Sequence, residues 1–511
     1  MKNILKLKRI LSMYIAILMI FSSTIVFAKQ VKQKNNAILE DFDPLEDIEV
    51  TVEILDIRSL EKFEYPHPAF EIIDFLSKPD FYVKITINGE EFVSDVWQNT
   101  RYIYDAGFKA TLNVPDEEEF VDINIQLWGK NSISDKQCDI SSGWEDTYNQ
   151  LDANLEYSIA TGHWRGDDYS GDEHSLSDPS GYGRLNGCDD NSIYQRDRDC
   201  EIWFDIYQND YDGDGIPYWT EVNVFGTDPE VDNTGEDLDE DGVPIEWEYK
   251  WGHQFSHWGS DDHWFYDPFV WENHTALDPD NDGLNNVEEY LTSQWGSDPF
   301  RKDIFIEIDQ MEAGPDGEGA SLLPDGSKEL LMTAFDRYNI VLHLDDGSMG
   351  GGEMVPFSSL ISRDDLSDYY YQQYFLHGDQ NNWRRGVFRY GIVVWDAGYP
   401  GYNFRNGAFQ ISKSYVDKKA IIKVQRMIDV VYASVYMHEL GHTLGIYNPG
   451  VDNDDSDDPS NFNFWKYGPY KSCMNYRYTY RLVDYSDGSR GKNDFPDWYT
   501  LDLTSFQGGF F

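Results

Sequence analysis

Apolar residues recur at every second position in four separated stretches of the N-terminal part of the chain. These are Ile48, Val50, Val52 and Ile54; Phe81, Val83, Ile85 and Ile87; Val121, Ile123, Ile125 and Leu127; and Ile202, Phe204 and Ile206. Successive side chains point to opposite faces of a strand, so each stretch predicts a half-buried strand. No amphipathic helical repeat separates them, which predicts an all-β sandwich over 45–208. From Arg301 the pattern becomes mixed α/β: Ile304, Ile306 and Ile308 alternate as a strand, 327–338 reads as a helix, and 340–344 and 391–395 read as strands. A long helix is then predicted from an N-cap at Asp417, with Val424, Ile428, Val431, Val435, His438 and His442 on its inward stripe.

Between these two regions, over 209–300, one arrangement occurs three times. Asp210, Asp212, Asp214 and Glu221 form the first set, Asp237, Asp239, Asp241 and Glu248 the second, and Asp278, Asp280, Asp282 and Glu289 the third. Gly215, Gly242 and Gly283 follow the third aspartate of each. This is the spacing of a twelve-residue calcium loop, in which alternate carboxylates and a late glutamate converge on one hard cation. Three matches in register make solvated acidic loops the weaker reading.

Charge strengthens that expectation. The 511 residues carry 93 acidic and 40 basic side chains, a net charge of -53. A compact state of that charge repels itself unless cations bind it, and phosphate binding lacks a basic footprint, so Ca2+ is expected and nucleic acid is not. Aromatic residues, 16% of the chain, argue against a disordered acidic polymer.

Lys2, Lys6, Lys8 and Arg9 precede an apolar run over 10–27 that ends in Val26-Phe27-Ala28. This reads as an export signal over 1–28 in preference to an uncleaved anchor, with a polar linker over 29–44 and a secreted or cell-surface location. The four cysteines, Cys138, Cys188, Cys200 and Cys473, then fall in an oxidising compartment, and Cys188 with Cys200 is the pairing suggested.

The strongest chemical signal is His438-Glu439-Leu440-Gly441-His442. Histidines four residues apart on a helix share one face, so both imidazoles can bind one Zn2+, with Glu439 beside them as general base. The alternative, two satisfied core histidines in a chance motif, weakens because two further features follow. The run His438 to Gly445 resembles the metzincin signature HExxHxxG, and Ser472-Cys473-Met474-Asn475-Tyr476 resembles the metzincin Met-turn. That resemblance implies a C-terminal peptidase domain over 301–511 in which Met474 floors the metal site, Tyr476 stabilises the oxyanion and Gly445 permits a sharp turn. It also implies a third zinc ligand where this chain has Asn448; among Asp452, Asp454 and Asp455 just beyond, Asp452 is favoured. The calcium segment is similar to EF-hand-like and type-3 thrombospondin-like repeats, through Gly226-Thr227-Asp228-Pro229 and Ser297-Asp298-Pro299. The sandwich resembles a C-two (C2) domain through Asp80-Phe81-Tyr82-Val83-Lys84, although Leu127 to Asn131 stands where that family's third loop supplies aspartates. Contact with a membrane surface is raised by that resemblance alone.

The expected architecture is therefore multidomain: an all-β sandwich, a calcium-loop segment and an α/β (α+β) metzincin-like domain. The expected function is a secreted, calcium-stabilised zinc endopeptidase acting on extracellular protein or peptide. The alternative is a non-catalytic, calcium-dependent surface or adhesion protein with a degenerate peptidase domain. The aromatic C-terminal residues Trp465, Tyr467, Tyr470, Tyr478, Tyr480 and Trp498 are expected mostly in the core, and Gly350-Gly351-Gly352 at a cleft edge.

Overall fold

The computed structural model describes residues 48–60, 78–116, 118–131, 134–141, 150–167, 183–188, 198–254, 263–420, 423–448, 451 and 457–505. The export-signal and linker readings over 1–44 lie outside these residues, as do Asp452, Asp454 and Asp455. No helix of the described residues is long and apolar enough to cross a membrane.

The N-terminal region is two antiparallel sheets. In one, β1 (Glu49–Ser59) lies between β3 (Phe108–Asn113) and β6 (Cys200–Gln208). In the other, β2 (Phe81–Ile87), β4 (Phe120–Gly129) and β5 (Ala153–Ser158) are neighbours in that order. The alternating residues of β1, β2, β4 and β6 are buried in a single shared core, as half-buried strands require. A register irregularity at Ile54/Asp56 leaves Leu55 exposed and returns Ile57 to the inside. Leu127, Trp128 and Gly129 belong to β4 itself, so they form strand and not a ligand-bearing loop. All four cysteines are buried and none is joined in a disulfide, which corrects the suggested Cys188–Cys200 bridge. Cys200 lies in the sandwich core, and the Cys188 thiol faces Asp199 at 3.7 Å.

Over 209–300 the short helices α1 (Ile245–Gly252) and α2 (Asn286–Thr292) follow the second and third acidic loops. Two small apolar clusters hold this segment, one around Trp247, Trp251, Tyr266 and Phe300, the other around Ile216, Ile245 and Tyr249.

The C-terminal region is a mixed sheet in the order β8-β7-β9-β11-β10, formed by β7 (Asp303–Met311), β8 (Val341–Asp345), β9 (Phe388–Val394), β10 (Gly401–Arg405) and β11 (Ala408–Ser412). All pairings along this path are parallel except β10, the antiparallel edge strand. The central strand β9 is buried at every position, because helices and loops cover both faces of a largely parallel sheet. Helix α3 (Asp325–Asp336) and the long helix α5 (Gln425–Thr443) share one core with the sheet.

Asp417 does not cap the long helix. It lies in a separate helix, α4 (Lys413–Lys419), where its carboxylate pairs with Lys413 and accepts from the Tyr432 hydroxyl at 2.7 Å. Helix α5 starts eight residues later behind Val424, which is extended (φ -93°, ψ 133°) and exposed, so the inward stripe begins at Ile428. Tyr467, Tyr470 and Trp498 are core residues, whereas Trp465 is exposed. Gly351 is not a cleft edge: it is buried against the Glu307–Arg384 ion pair and donates to Asp345.

Candidate metal centres

Helix α5 presents His438, Glu439 and His442 on a segment buried along nearly its whole length. The two imidazole centroids are 4.9 Å apart, one helical turn, with planes at 87°. His438 Nδ1 lies 2.8 Å from the Cys473 carbonyl and His442 Nδ1 lies 3.1 Å from the Ile446 carbonyl. A carbonyl oxygen only accepts, so each Nδ1 carries the proton and each Nε2 keeps its lone pair. Burial lowers the proton affinity of both rings, to about 3 for His438, where His442 adds to the effect. Two neutral, backbone-anchored imidazoles are the donor set that a metal needs.

The anchoring carbonyls come from the two segments that the sequence motifs single out. Past Leu444, Gly445 takes the left-handed conformation (φ 79°), and the Ile446 amide reaches back to the Gly441 carbonyl at 2.9 Å. This Schellman closure turns the chain so that the Ile446 carbonyl faces His442. The Ser472–Tyr476 turn is pinned by Asn475, whose side-chain amide donates to the Tyr467 and Tyr470 carbonyls at 3.0 and 2.9 Å. Its Met474 is buried against Gly441: a Cβ there would lie 2.5 Å from the Met474 sulfur. The Tyr476 ring stacks on His438 with centroids 5.4 Å apart.

Glu439 is buried, and burial raises its carboxyl to about 8. Its side chain rests on Gly401 of edge strand β10, where a Cβ would lie 2.3 Å from Oε1. A cavity of about 420 Å³ lies on the same strand, lined by Gly401, Tyr402, Arg363, Ala397 and Tyr399. A slightly larger one, about 460 Å³, is lined by sandwich residues and includes none of the helix α5 residues. The third expected ligand is not assembled among the described residues. The Asn448 side-chain nitrogen donates to the Tyr470 hydroxyl at 2.8 Å and to Asp497 at 3.1 Å.

All three acidic loops bring their aspartates together, with ligand oxygens of each trio within 4.8 Å of one another. Gly215, Gly242 and Gly283 have φ of 88°, 106° and 100°, the left-handed turn that the loop needs at that position. The late glutamates are buried, and those of the second and third loops reach back from α1 and α2. Burial, then the neighbouring aspartates, raises Glu221 to about 8 and Glu248 to about 9. Both oxygens of Glu248 and both of Glu289 are without a hydrogen-bond partner. Buried carboxylates without donors are costly, and a hard divalent cation among them removes that cost.

Sequence spacing missed three residues of these centres. Glu272 and His274 join Asp241 and Glu248 in one group, and Asp303 joins Asp282 and Glu289 in another. Each comes from well outside its twelve-residue loop, so no local pattern marks it.

No protein-family model matches the chain, and no curated protein matches it. Solved structures give partial overlaps. A C2 domain is 8% identical over 32% of this chain and 98% of that one, with a TM-score of 0.17. A C2 domain protein from Ramazzottius varieornatus is 10% identical over 32% of this chain and 87% of that one, with a TM-score of 0.19. Human GIVD cytosolic phospholipase A2 is 14% identical over 32% of this chain at a TM-score of 0.17, and this chain spans 17% of that enzyme. At these scores the overlaps decide no function, and the sandwich is read from its own strand pairings.

Proposed function

We propose that this chain is a secreted, zinc-dependent endopeptidase with a metzincin-like catalytic domain, stabilised by Ca2+ in its three acidic loops. The observation that carries the reading is the pair of imidazoles one helical turn apart, each with Nδ1 fixed by a backbone carbonyl and Nε2 left to a metal. The Met474 turn supports it, because the Cys473 carbonyl of that turn is what orients His438. The export pattern over 1–28 supplies the location.

His438 and His442 would hold a zinc ion, which when bound would supply Lewis acidity toward a peptide carbonyl and lower the pKa of a water molecule to about 7. Glu439 accepts a proton from the attacking water and returns it to the departing amine. Burial raises its proton affinity above that of an exposed glutamate. The Tyr476 hydroxyl donates toward the carbonyl oxygen as negative charge develops there. Asp452 is the proposed third ligand. Substrate reaches these groups along β10, whose Gly401 touches Glu439.

Glu439→Gln tests this directly. The variant is expected to keep its fold and zinc content and to lose digestion of an unfolded protein substrate; retained digestion removes Glu439 as the base.

One observation favours a second reading. The amide nitrogen of Asn448, at the position where the resemblance places a third ligand, is committed to Tyr470 and Asp497. A domain without a third ligand holds zinc poorly, and the chain is then a calcium-dependent surface or adhesion protein. Zinc content separates the two readings.

A further inference from the structure

The third acidic loop differs from the other two in where it sits. Its Asp282 and Glu289 meet Asp303, the first residue of β7 and hence part of the C-terminal sheet. All three are buried, with exposures of 2%, 1% and 3%. Backbone contacts fix this approach: the Asp303 amide donates to Asp282 at 2.6 Å, and the Asp298 amide donates to Asp303 at 3.0 Å. The sandwich reaches the same joint. Arg301, two residues before Asp303, is buried and donates to the Arg184 carbonyl at 2.9 Å.

The charge at this joint does not balance. Asp278, Asp280 and Asp282 bring ligand oxygens within 4.8 Å of one another, and Asp282, Glu289 and Asp303 do the same. The His343 imidazole contacts Asp303 at 2.5 Å, and the Arg389 charge acts on Asp282. Neither Glu289 oxygen has a hydrogen-bond partner, nor has one oxygen each of Asp278 and Asp280. An ion-sized charge taken out of water costs several kcal/mol unless it is paired. An all-oxygen set of five carboxylates is hard, which matches Ca2+ and disfavours a softer transition metal.

We propose that Asp303 is the fifth carboxylate of the third calcium site, so that one buried ion clamps the repeat segment to the first strand of the catalytic domain. This rests on the reading that the loops bind calcium. It makes the third ion a condition for the stability of the domain carrying His438 and His442, whereas the group formed by the first loop, Asp210, Asp212 and Asp214, includes no residue of the C-terminal sheet.

The test is calorimetric unfolding of the full chain, with excess calcium and with chelator, together with calcium titration. Asp303→Asn is expected to weaken the third ion by at least about tenfold. In excess calcium it is expected to lower the unfolding temperature of the C-terminal domain. In chelator the sign reverses: Asp303→Asn melts at or above the unsubstituted protein, because it relieves carboxylate repulsion. A residue acting only through His343 and Asp298 gives the same loss in both conditions, and that result overturns the proposal. Asp280→Asn, which leaves the His343 contact in place, is expected to repeat the Asp303→Asn pattern, and Asp212→Asn to spare the C-terminal transition. If Asp303→Asn does not fold, Asp280→Asn decides: a C-terminal transition unmoved in calcium overturns the clamp. If calcium moves no transition of the unsubstituted protein, the calcium reading itself fails, a result distinct from failure of the clamp alone.

Discussion

Substituting Gly401 by alanine places one methyl group against the proposed general base without touching the metal ligands. The added Cβ would lie 2.3 Å from Glu439 Oε1 and 2.7 Å from both Cδ and Cγ, where ordinary contact begins near 3.4 Å. The side chain of Glu439 must therefore retreat by about 1 Å, and a catalytic group displaced that far loses roughly 100-fold in rate, about 2.7 kcal/mol of transition-state stabilisation. The fold has little reason to suffer. Gly401 lies in extended edge strand β10, paired with Ile411, where alanine is conformationally at ease, and the group that yields is the far end of a flexible side chain. Hydrolysis of an unfolded protein by Gly401→Ala, with its zinc content and unfolding temperature measured alongside, is expected to show lost turnover with both other quantities near normal. Gly319→Ala is the control, since a Cβ there meets nothing within 4 Å. Full turnover in Gly401→Ala with zinc in place refutes the placement of Glu439 as the base.

Further expectations follow from the same geometry. Gly445→Ala forces a left-handed residue to carry a Cβ, at about 1–2 kcal/mol. It also disturbs the Ile446 carbonyl that orients His442, so zinc affinity by competitive chelation is expected to fall about 10- to 100-fold; unchanged affinity shows that the turn does not set the ligand. Glu221 and Glu248 are raised to about 8 and 9 in the metal-free fold, above their unfolded value. Their stabilising contribution without metal is therefore complete below that unfolded value and is lost progressively from there up to pH 8–9. Unfolding temperature in chelator should fall across that interval and hold steady in saturating calcium; identical profiles in both conditions contradict cation binding at these loops. Asp336 is fully buried and, together with Glu201, faces Arg58 and Arg184 of the sandwich, so Asp336→Asn leaves two guanidinium groups sharing one carboxylate. A loss of about 3–5 kcal/mol is expected in denaturant unfolding, and a loss below 1 kcal/mol would show that this contact does not join the sandwich to α3.

Much of this architecture was legible because it is local. Alternation named β1, β2, β4 and β6, since one face of each must be buried, and the acidic loops announced themselves because a twelve-residue turn fixes its own spacing. The helix boundary was misread at Asp417 because an N-cap residue also serves as an ion-pair partner, and here Lys413 and Tyr432 hold it. Burial of His438 and part-burial of His442 followed from the stripe beginning at Ile428, but the carbonyls of Cys473 and Ile446 that set their tautomers are backbone groups with no sequence signature. Glu272, His274 and Asp303 were illegible for a related reason. They enter their sites through tertiary packing, and a single acidic residue at a strand start looks like any other. Four buried cysteines do not reveal their partners by spacing, and here each keeps its thiol.

The central claim is that His438 and His442 hold one zinc ion. Elemental analysis of the full chain, purified in excess calcium, tests it most directly when paired with His442→Ala. The expected result is one zinc per chain in the unsubstituted protein and a loss of that zinc in the variant, with calcium content unchanged in both. Protein that carries no zinc, or a His442→Ala variant that retains it, contradicts the account.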